Sequence, residues 1–309
     1  MRFLTVALSA VLLPGLAAGA GGKWGRASPL PVPRGEVVAA LAAGQIYVVG
    51  GFTANGQNSP RVDAYSPAAN SWREVPDLPL PVDHAMAAGY RGKVFVVGGY
   101  GPGRSRLTTL FALSGGSWTR LAPMPEQRAA GGAAIVNGKL YVVGGVASSS
   151  QPGRLARSTL VYDIADNRWS RRAGPTPREH LGVTALGGRI YAVGGRKAGF
   201  DTNLALVDVY NPQTGKWRRL PRLPGKRGGT GVAGVGRWLV SVGGEAASGT
   251  IRAVYGLDLT RRRWSKLPNL PTPRHGLGVV AVGHRVYVIG GGTTPGLSVS
   301  SANEFLTIR

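Results

Sequence analysis

The chain has no cysteine among its 309 residues. That excludes disulfide bonds, thiolate metal ligands, a cysteine nucleophile and a lipid-modified N-terminal cysteine, so stability must come from packing and hydrogen bonding. Acidic residues are scarce: 14 Asp and Glu stand against 37 Lys and Arg, 30 of them Arg, for a formal net charge of +23. A field of that sign attracts polyanions and keeps the chain soluble. It equally fits an Arg-rich composition whose charges are simply solvated. There is no Walker phosphate loop, no G-x-S-x-G elbow and no histidine pair at helical metal-binding spacing, so these routes to nucleotide, ester and metalloprotease chemistry have no support. Positive charge without a reading motif gives only salt-sensitive, sequence-blind contact, and no sequence-specific nucleic-acid partner is expected.

Long apolar runs are missing except at the start. Met1-Arg2 is a short positive end, Phe3 to Leu13 is almost wholly apolar, and Ala18-Gly19-Ala20 follows. That is the order of a secretory signal peptide, so residues 1–20 are expected to be removed and the mature chain, residues 21–309, to begin at Gly21. An uncleaved anchor is the competing reading; Pro14 and the shortness of the run speak against it. The expectation is a secreted or periplasmic protein with no transmembrane helix in its mature chain.

What the chain has in excess is glycine, 49 residues, and it recurs at fixed offsets. GQIYVVGG, GKVFVVGG, GKLYVVGG and GRIYAVGG are near-copies, with looser copies GRWLVSVGG and GHRVYVIGG. The first Gly of each pair falls at 50, 98, 144, 194, 243 and 290, a period of 46 to 50 residues. Trp24, Trp72, Trp118, Trp169, Trp217 and Trp264 keep step. Seven residues before the last five stand Tyr65, Phe111, Tyr162, Tyr210 and Leu257. Units of this size cannot bury their own faces and must stack, so one domain covers the mature chain.

Gly-Gly, then an aromatic, then Trp, at a period near fifty, resembles the kelch repeat, and the resemblance runs from Trp24 to about Leu306. It implies an all-β fold: a six-bladed kelch β-propeller with one four-stranded blade per repeat. In residues 178–224 the strands read as 180–186, 189–195, 206–210 and 216–220, with turns at Gly187-Gly188 and NPQTG. The first strand of each repeat is rich in Ala and Gly, which suits crowding around one axis. The last Gly pair has no Trp after it, and Trp24 has no Gly pair before it. The N-terminal strand is therefore expected to complete the last blade by pairing with residues 303–307, which removes two sheet edges.

Topology sorts the loops onto two faces. The connections entering the innermost strands and those after the second strands share the top, and loops on a rigid scaffold carry function. Sixteen residues before each Gly pair stand Arg34, Val82, Arg128, Arg178, Arg227 and Arg274. Five guanidiniums around the top mouth would suit a carboxylate, sulfate or phosphate. The alternative is that they brace the loops through backbone carbonyls. Kelch propellers that capture acidic peptides use Arg at the start of this strand, most often two residues later. Here that column holds Glu36, His84, Ala130, His180, Gly229 and Gly276. The five Arg with His84 and His180 form the candidate ligand-binding set. His275 lies one residue out of step, so alternation is expected to aim it elsewhere. No carboxylate recurs beside the three histidines, and neither a metal site nor a cofactor is expected. His284 falls in a bottom turn, and the bottom face carries Lys93, Lys139, Arg189, Arg285 and the Arg261, Arg262, Arg263 run.

Three functions compete at this stage. The first is a monomeric binding module whose partner is a protein or an anionic glycan, held as an acidic segment or sugar at the top face. The second is an enzyme similar to the six-bladed kelch proteins that mutarotate sialic acid, with Glu36, Asp83, Glu126, Glu179, Glu245, His84 and His180 as acid–base candidates. The third is a structural component of the cell envelope held by charge. The copper chemistry of kelch-type oxidases is excluded, because their cofactor is a Tyr cross-linked to Cys.

Overall fold

Turn residues divide every repeat into four short strands, and small side chains decide which lies innermost. The computed structural model describes residues 21–148 and 153–308. It has the expected all-β architecture, six antiparallel four-stranded sheets arranged as a six-bladed propeller. The innermost strands are Val38–Ala42, Met86–Tyr90, Gly132–Val136, Glu179–Leu186, Gly231–Val235 and Gly278–Val282, and neighbours pack side by side around the axis. Where they crowd, a side chain is missing: a Cβ on Gly231 would lie 2.1 Å from Val279. Blade four continues outward through Arg189–Arg196, Val207–Asn211 and Lys216–Arg219. Its second strand is buried from Ile190 to Arg196, because adjacent blades cover both of its faces.

The core is divided among the gaps between blades. One cluster joins Val62 and Ala64 of blade one to Val94 and Val96 of blade two. Another joins Val240 and Leu267 of blade five to Val288 and Leu306 of blade six. Each blade thus buries its faces only against neighbours, and a missing blade would expose two of them.

The ring closes as expected. Blade six runs Gly278–Val282, Arg285–Ile289 and Asn303–Ile308, and its outermost strand is Gly22–Arg26. The two ends of the described chain pair antiparallel, from Gly22 opposite Ile308 to Arg26 opposite Glu304.

The tryptophans that mark the repeat tie each blade to the one before. Each indole N–H donates to a carbonyl where the preceding blade ends. Trp72 reaches Ser28 (2.8 Å), Trp118 Pro76 (2.8 Å) and Trp169 Ala122 (2.7 Å). Trp217 reaches Ala173 (3.0 Å), Trp264 Pro221 (2.9 Å) and Trp24 Pro268 (2.9 Å). Tyr65, Tyr162 and Tyr210 sit directly across from their Trp, with ring centroids 5.0 to 5.1 Å apart. Phe111 does not. The turn in blade two is only Gly115-Gly116, so the register shifts, and Leu113 opposes Trp118.

The Gly pairs admit the next blade. Gly98 has φ 61°, and a Cβ there would lie 2.2 Å from the Arg128 carbonyl oxygen. The following N–H, of Gly99, donates to that same carbonyl at 2.8 Å. The bond recurs from Gly51 to Val82, Gly145 to Arg178, Gly195 to Arg227, Gly244 to Arg274 and Gly291 to Arg34, each at 2.8 or 2.9 Å.

Deleting residues 21–28 removes a ladder strand and the Trp24 tie, several hydrogen bonds at about 1 kcal/mol each. It should lower Tm by roughly 6 °C or more. Deleting Gln213 and Thr214 from an exposed four-residue turn should lower it far less, since blade two already turns on two residues. Thermal unfolding followed by circular dichroism compares the two; equal losses would contradict closure by the N-terminal strand.

Candidate functional site

The five arginines sixteen residues before the Gly pairs do not line the mouth. Arg34, Arg128, Arg178, Arg227 and Arg274 are each at most 1 % exposed. Every one donates to the carbonyl of the first Gly in its own blade: Arg34 to Gly50 (3.0 Å), Arg128 to Gly144 (2.9 Å), Arg178 to Gly194 (2.7 Å), Arg227 to Gly243 (3.2 Å) and Arg274 to Gly290 (2.8 Å). Four also meet a carboxylate: Arg34 with Asp63, Arg128 with Glu126, Arg178 with Asp208 (2.8 Å) and Arg274 with Glu304 (2.6 Å). Arg227 lies over the Tyr255 ring instead. Burial pulls Arg34 and Arg227 down to about 10, which leaves both charged at neutral pH. The anion-binding ring is therefore corrected to a structural one. These guanidiniums satisfy loop carbonyls that the fold buries, and they have no face left for a ligand.

Two residues further on, the chain does face the axis. Glu36, His84, Ala130, His180, Gly229 and Gly276 all have positive φ, between 50° and 63° except for His84 at 49°. A ring of backbone bonds links them across the blades. His84 N–H donates to Glu36 (3.2 Å), Ala130 to His84 (3.0 Å), His180 to Ala130 (2.7 Å), Gly229 to His180 (2.9 Å) and Gly276 to Gly229 (3.0 Å). The N–H of Val37 closes the circle on the Gly276 carbonyl at 3.1 Å. Left-handed backbone costs a residue with a Cβ about 1–2 kcal/mol. Two blades use glycine here; the others place Glu36, His84, Ala130 and His180 in the same conformation.

His84 and His180 meet over the channel. Their Nε2 atoms are 3.0 Å apart, and Glu36 Oε2 lies 3.2 Å from His84 Nε2. Behind the rings stand carboxylates: Asp83 against His84 Nδ1, and Glu179 Oε1 3.4 Å from His180 Nδ1. His275 joins them, contrary to the alternation expected of it. It precedes the innermost strand, bridges Gly292, and turns Nδ1 to within 3.0 Å of Glu36 Oε1 and 3.3 Å of Glu245 Oε2. Its Nε2 lies 3.0 Å from the Thr294 carbonyl. Carboxylates do therefore gather beside the three histidines: Asp83 and Glu179 from one repeat position, just before His84 and His180, with Glu36 and Glu245 from two others.

Burial would raise Glu36, but the His84, His275 and His180 imidazoles outweigh it and hold the carboxyl far below the usual carboxylate range. Burial opposes a charged His84, yet Glu36 and Asp83 push it up; Glu36 and Glu245 do the same for His275. For His180 burial wins and pulls the imidazole down, helped by His84 and Arg196. The neighbours thus favour the charged form of His84 and His275, and burial favours the neutral form of His180.

Above the cluster opens a cavity of about 370 Å³. Its floor is Glu36, His84, His180 and Glu245; its walls are Phe52, Arg104, Arg196, Phe200 and Leu297. Arg104 stacks 4.0 Å over Tyr100 and pairs with Asp83, while Arg196 pairs with Glu245 at 2.7 Å. Below the floor the channel is lined by small apolar residues such as Ala39, Ala87 and Ala133. Of the seven acid–base candidates only Glu126 lies apart, hydrogen-bonded to Arg128 and Ser158. His284 is exposed in a bottom turn. Arg104, Phe200 and Leu297 escaped the sequence reading because loops without a repeating offset carry them; Phe52 and Arg196 stand directly after a Gly pair, at a place whose residue type differs in every blade.

A propeller of six four-stranded blades, each marked by a Gly pair and clamped by a Trp, defines the class. Residues 23–173 and 170–291 match the family given as the KLHDC2/KLHL20/DRC7 Kelch-repeats domain, and the chain belongs to the kelch-repeat family. It is similar to Kelch repeat and BTB domain-containing protein 12 of Danio rerio, 34% identical over 127 residues, 37% of this chain and 20% of that protein. Kelch-like protein terF of Aspergillus terreus is 31% identical over 146 residues, 45% of this chain and 32% of that protein. The F-box/kelch-repeat protein At1g67480 of Arabidopsis thaliana is 38% identical over 106 residues, 33% of this chain and 26% of that protein. The matches thus span between a fifth and a third of these relatives' own lengths. Kelch proteins of the kelch-like, BTB and F-box kinds are typically intracellular, and they overturn the expectation of a secreted or periplasmic protein. The signal-peptide reading of residues 1–20 lies outside the described residues.

Replacing Arg274 by Met should strand the buried Glu304 carboxylate and cost about 3–5 kcal/mol, a fall in Tm of roughly 6–20 °C. Arg262→Ala, at an exposed turn, should change Tm by no more than about 2 °C. Thermal melts of the two variants check the structural role; a melt of Arg274→Met equal to that of the parent would return the arginine to the candidate site.

Proposed function

We propose that this propeller is a protein-interaction module that seats a partner segment on its top mouth, with an apolar anchor residue entering the cavity. One observation carries the reading. Leu297, 59 % exposed, is the only large hydrophobic side chain left in solvent among the described residues, and it stands on the cavity rim with Phe52 and Phe200. Exposed apolar surface at a concave site marks binding, and aromatic walls around an anchor pocket are the usual centre of interface energy. Kinship with kelch-like, BTB-linked and F-box-linked kelch proteins supports a binding role. An anionic glycan or acidic segment has lost its main support, because the arginines meant to hold it are buried and the mouth is lined by carboxylates.

The sialic acid mutarotase reading keeps one observation in its favour: Glu36, His84 and His180 offer a proton donor and acceptor within one small cavity, which anomer exchange requires. Exchange of N-acetylneuraminate anomers, followed by NMR with parent chain and His84→Ala, decides it; a rate equal to the buffer rate removes the enzyme.

The binding reading is tested with a displayed peptide library selected on the full chain. Selected peptides should share an apolar anchor. Binding should weaken by about 30-fold in the double variant Phe200→Asp, Leu297→Asp, and stay unchanged in Arg262→Ala, Arg263→Ala. Equal affinity for both double variants would defeat the mouth as the docking site.

A further inference from the structure

We infer that Glu36, His84 and His180 form a binding site for one divalent first-row transition ion, with an open side facing the mouth cavity. The donor atoms are already gathered. His84 Nε2 and His180 Nε2 are 3.0 Å apart, and Glu36 Oε2 is 3.2 Å from His84 Nε2. An ion bound at 2.0–2.1 Å sets neighbouring donors about 2.9–3.4 Å apart, a spacing that two of the three pairs already have, and all three donors lie within 4.8 Å of one another.

The groups behind the rings agree. Asp83, wholly buried, accepts from His84 Nδ1, and Glu179 faces His180 Nδ1. A carboxylate behind His84 Nδ1 favours the tautomer that leaves the Nε2 lone pair for a metal, while Glu179 stands near His180 Nδ1 without a hydrogen bond. A proton on His84 Nε2 can hold these three atoms together, and a metal ion in its place would do the same. His275 is not a fourth ligand. Its Nε2–H donates to the Thr294 carbonyl, and its Nδ1 lies 3.0 Å from Glu36 Oε1 and 3.3 Å from Glu245 Oε2. It anchors one oxygen of Glu36 and leaves Oε2 for the ion.

Two further observations point the same way. Glu36, His84 and His180, like Ala130, hold left-handed backbone at ring positions where glycine serves in two blades, and strain kept at one site is a mark of function. The mouth also gathers four of the chain's 14 acidic residues, Glu36, Asp83, Glu179 and Glu245, and three of its 4 histidines. In a chain of net charge +23 this is a local concentration of acidic groups, of which Arg104 and Arg196 pair with three and leave Glu36 to the histidines. Two imidazoles and one carboxylate, with no thiolate available, suit zinc or a neighbouring transition ion rather than calcium or magnesium. The open side faces Phe200 and Leu297, so a partner or substrate group could complete the coordination.

The test needs no partner, so it stands or falls apart from the peptide selection. The full chain is stripped with a chelator and titrated with zinc by calorimetry, and with cobalt by visible absorption. One ion per chain is expected, with imidazole-ligated cobalt bands. His84→Ala and His180→Ala should each weaken zinc binding by on the order of 100-fold, and Asp83→Asn by about 10-fold. His284→Ala, in the exposed bottom turn, should leave it unchanged. Circular dichroism melts of the metal-free variants check folding; if His84→Ala fails to fold, His180→Gln and Asp83→Asn carry the comparison. Absence of saturable zinc binding, or binding equal in parent and histidine variants, would overturn the site and leave the His84–His180 contact a plain hydrogen bond.

Discussion

The structure depends on one carbonyl per blade. It belongs to the residue sixteen places before a Gly pair, and it accepts the N–H of the second Gly in the preceding blade. Where that residue is Arg, its side chain folds back to the first Gly of its own blade, so one residue joins two adjacent blades. Blade two has Val82 and keeps only the backbone half. A single bond of this kind is worth about 1 kcal/mol, but the six form a circle in which each fixes the position of the next. The column of left-handed residues follows two places later, so the interlock also sets where Glu36, His84 and His180 point.

Charge is distributed against the grain of the composition. A strongly basic chain would be expected to present its cations at its largest concave site. Instead its most regularly placed cations are spent on buried carbonyls, and its scarce carboxylates collect at the mouth. The two guanidiniums there, exposed Arg104 and buried Arg196, are already paired with Asp83 and with Glu179 and Glu245. Sequence-wide charge therefore describes the outer surface and misdescribes the site.

The fold was legible because its signals repeat. Gly pairs mark places where a Cβ would strike the next blade, and Trp marks an indole bond to the previous one; both constraints recur six times. The Arg column was equally visible, but a guanidinium that faces solvent and one that faces buried carbonyls have the same letter and the same spacing. Only the depth of the following turn tells them apart. His275 was misread because strand alternation was applied to a residue that precedes its strand and reaches Glu36 from the neighbouring blade. Phe52, Phe200 and Leu297 were illegible for a different reason. Phe200 and Leu297 stand in loops of unequal length, where no period survives, and Phe52 stands just after a Gly pair, at a recurring place whose residue type varies from blade to blade. The informative contrast lay in one column: Glu and His where Gly229 and Gly276 show what the backbone prefers.

Closure by strand exchange also fixes an order of events. Gly22–Arg26 leaves the ribosome first among the blade strands, yet its partner, Asn303–Ile308, is made last. At 5–20 residues per second the interval is roughly 15–60 s. Throughout it the early strand has an unpaired edge, Trp24 has no Pro268 to bond, and blade one has no neighbour on its open side. The propeller therefore stays open until Asn303–Ile308 has been made.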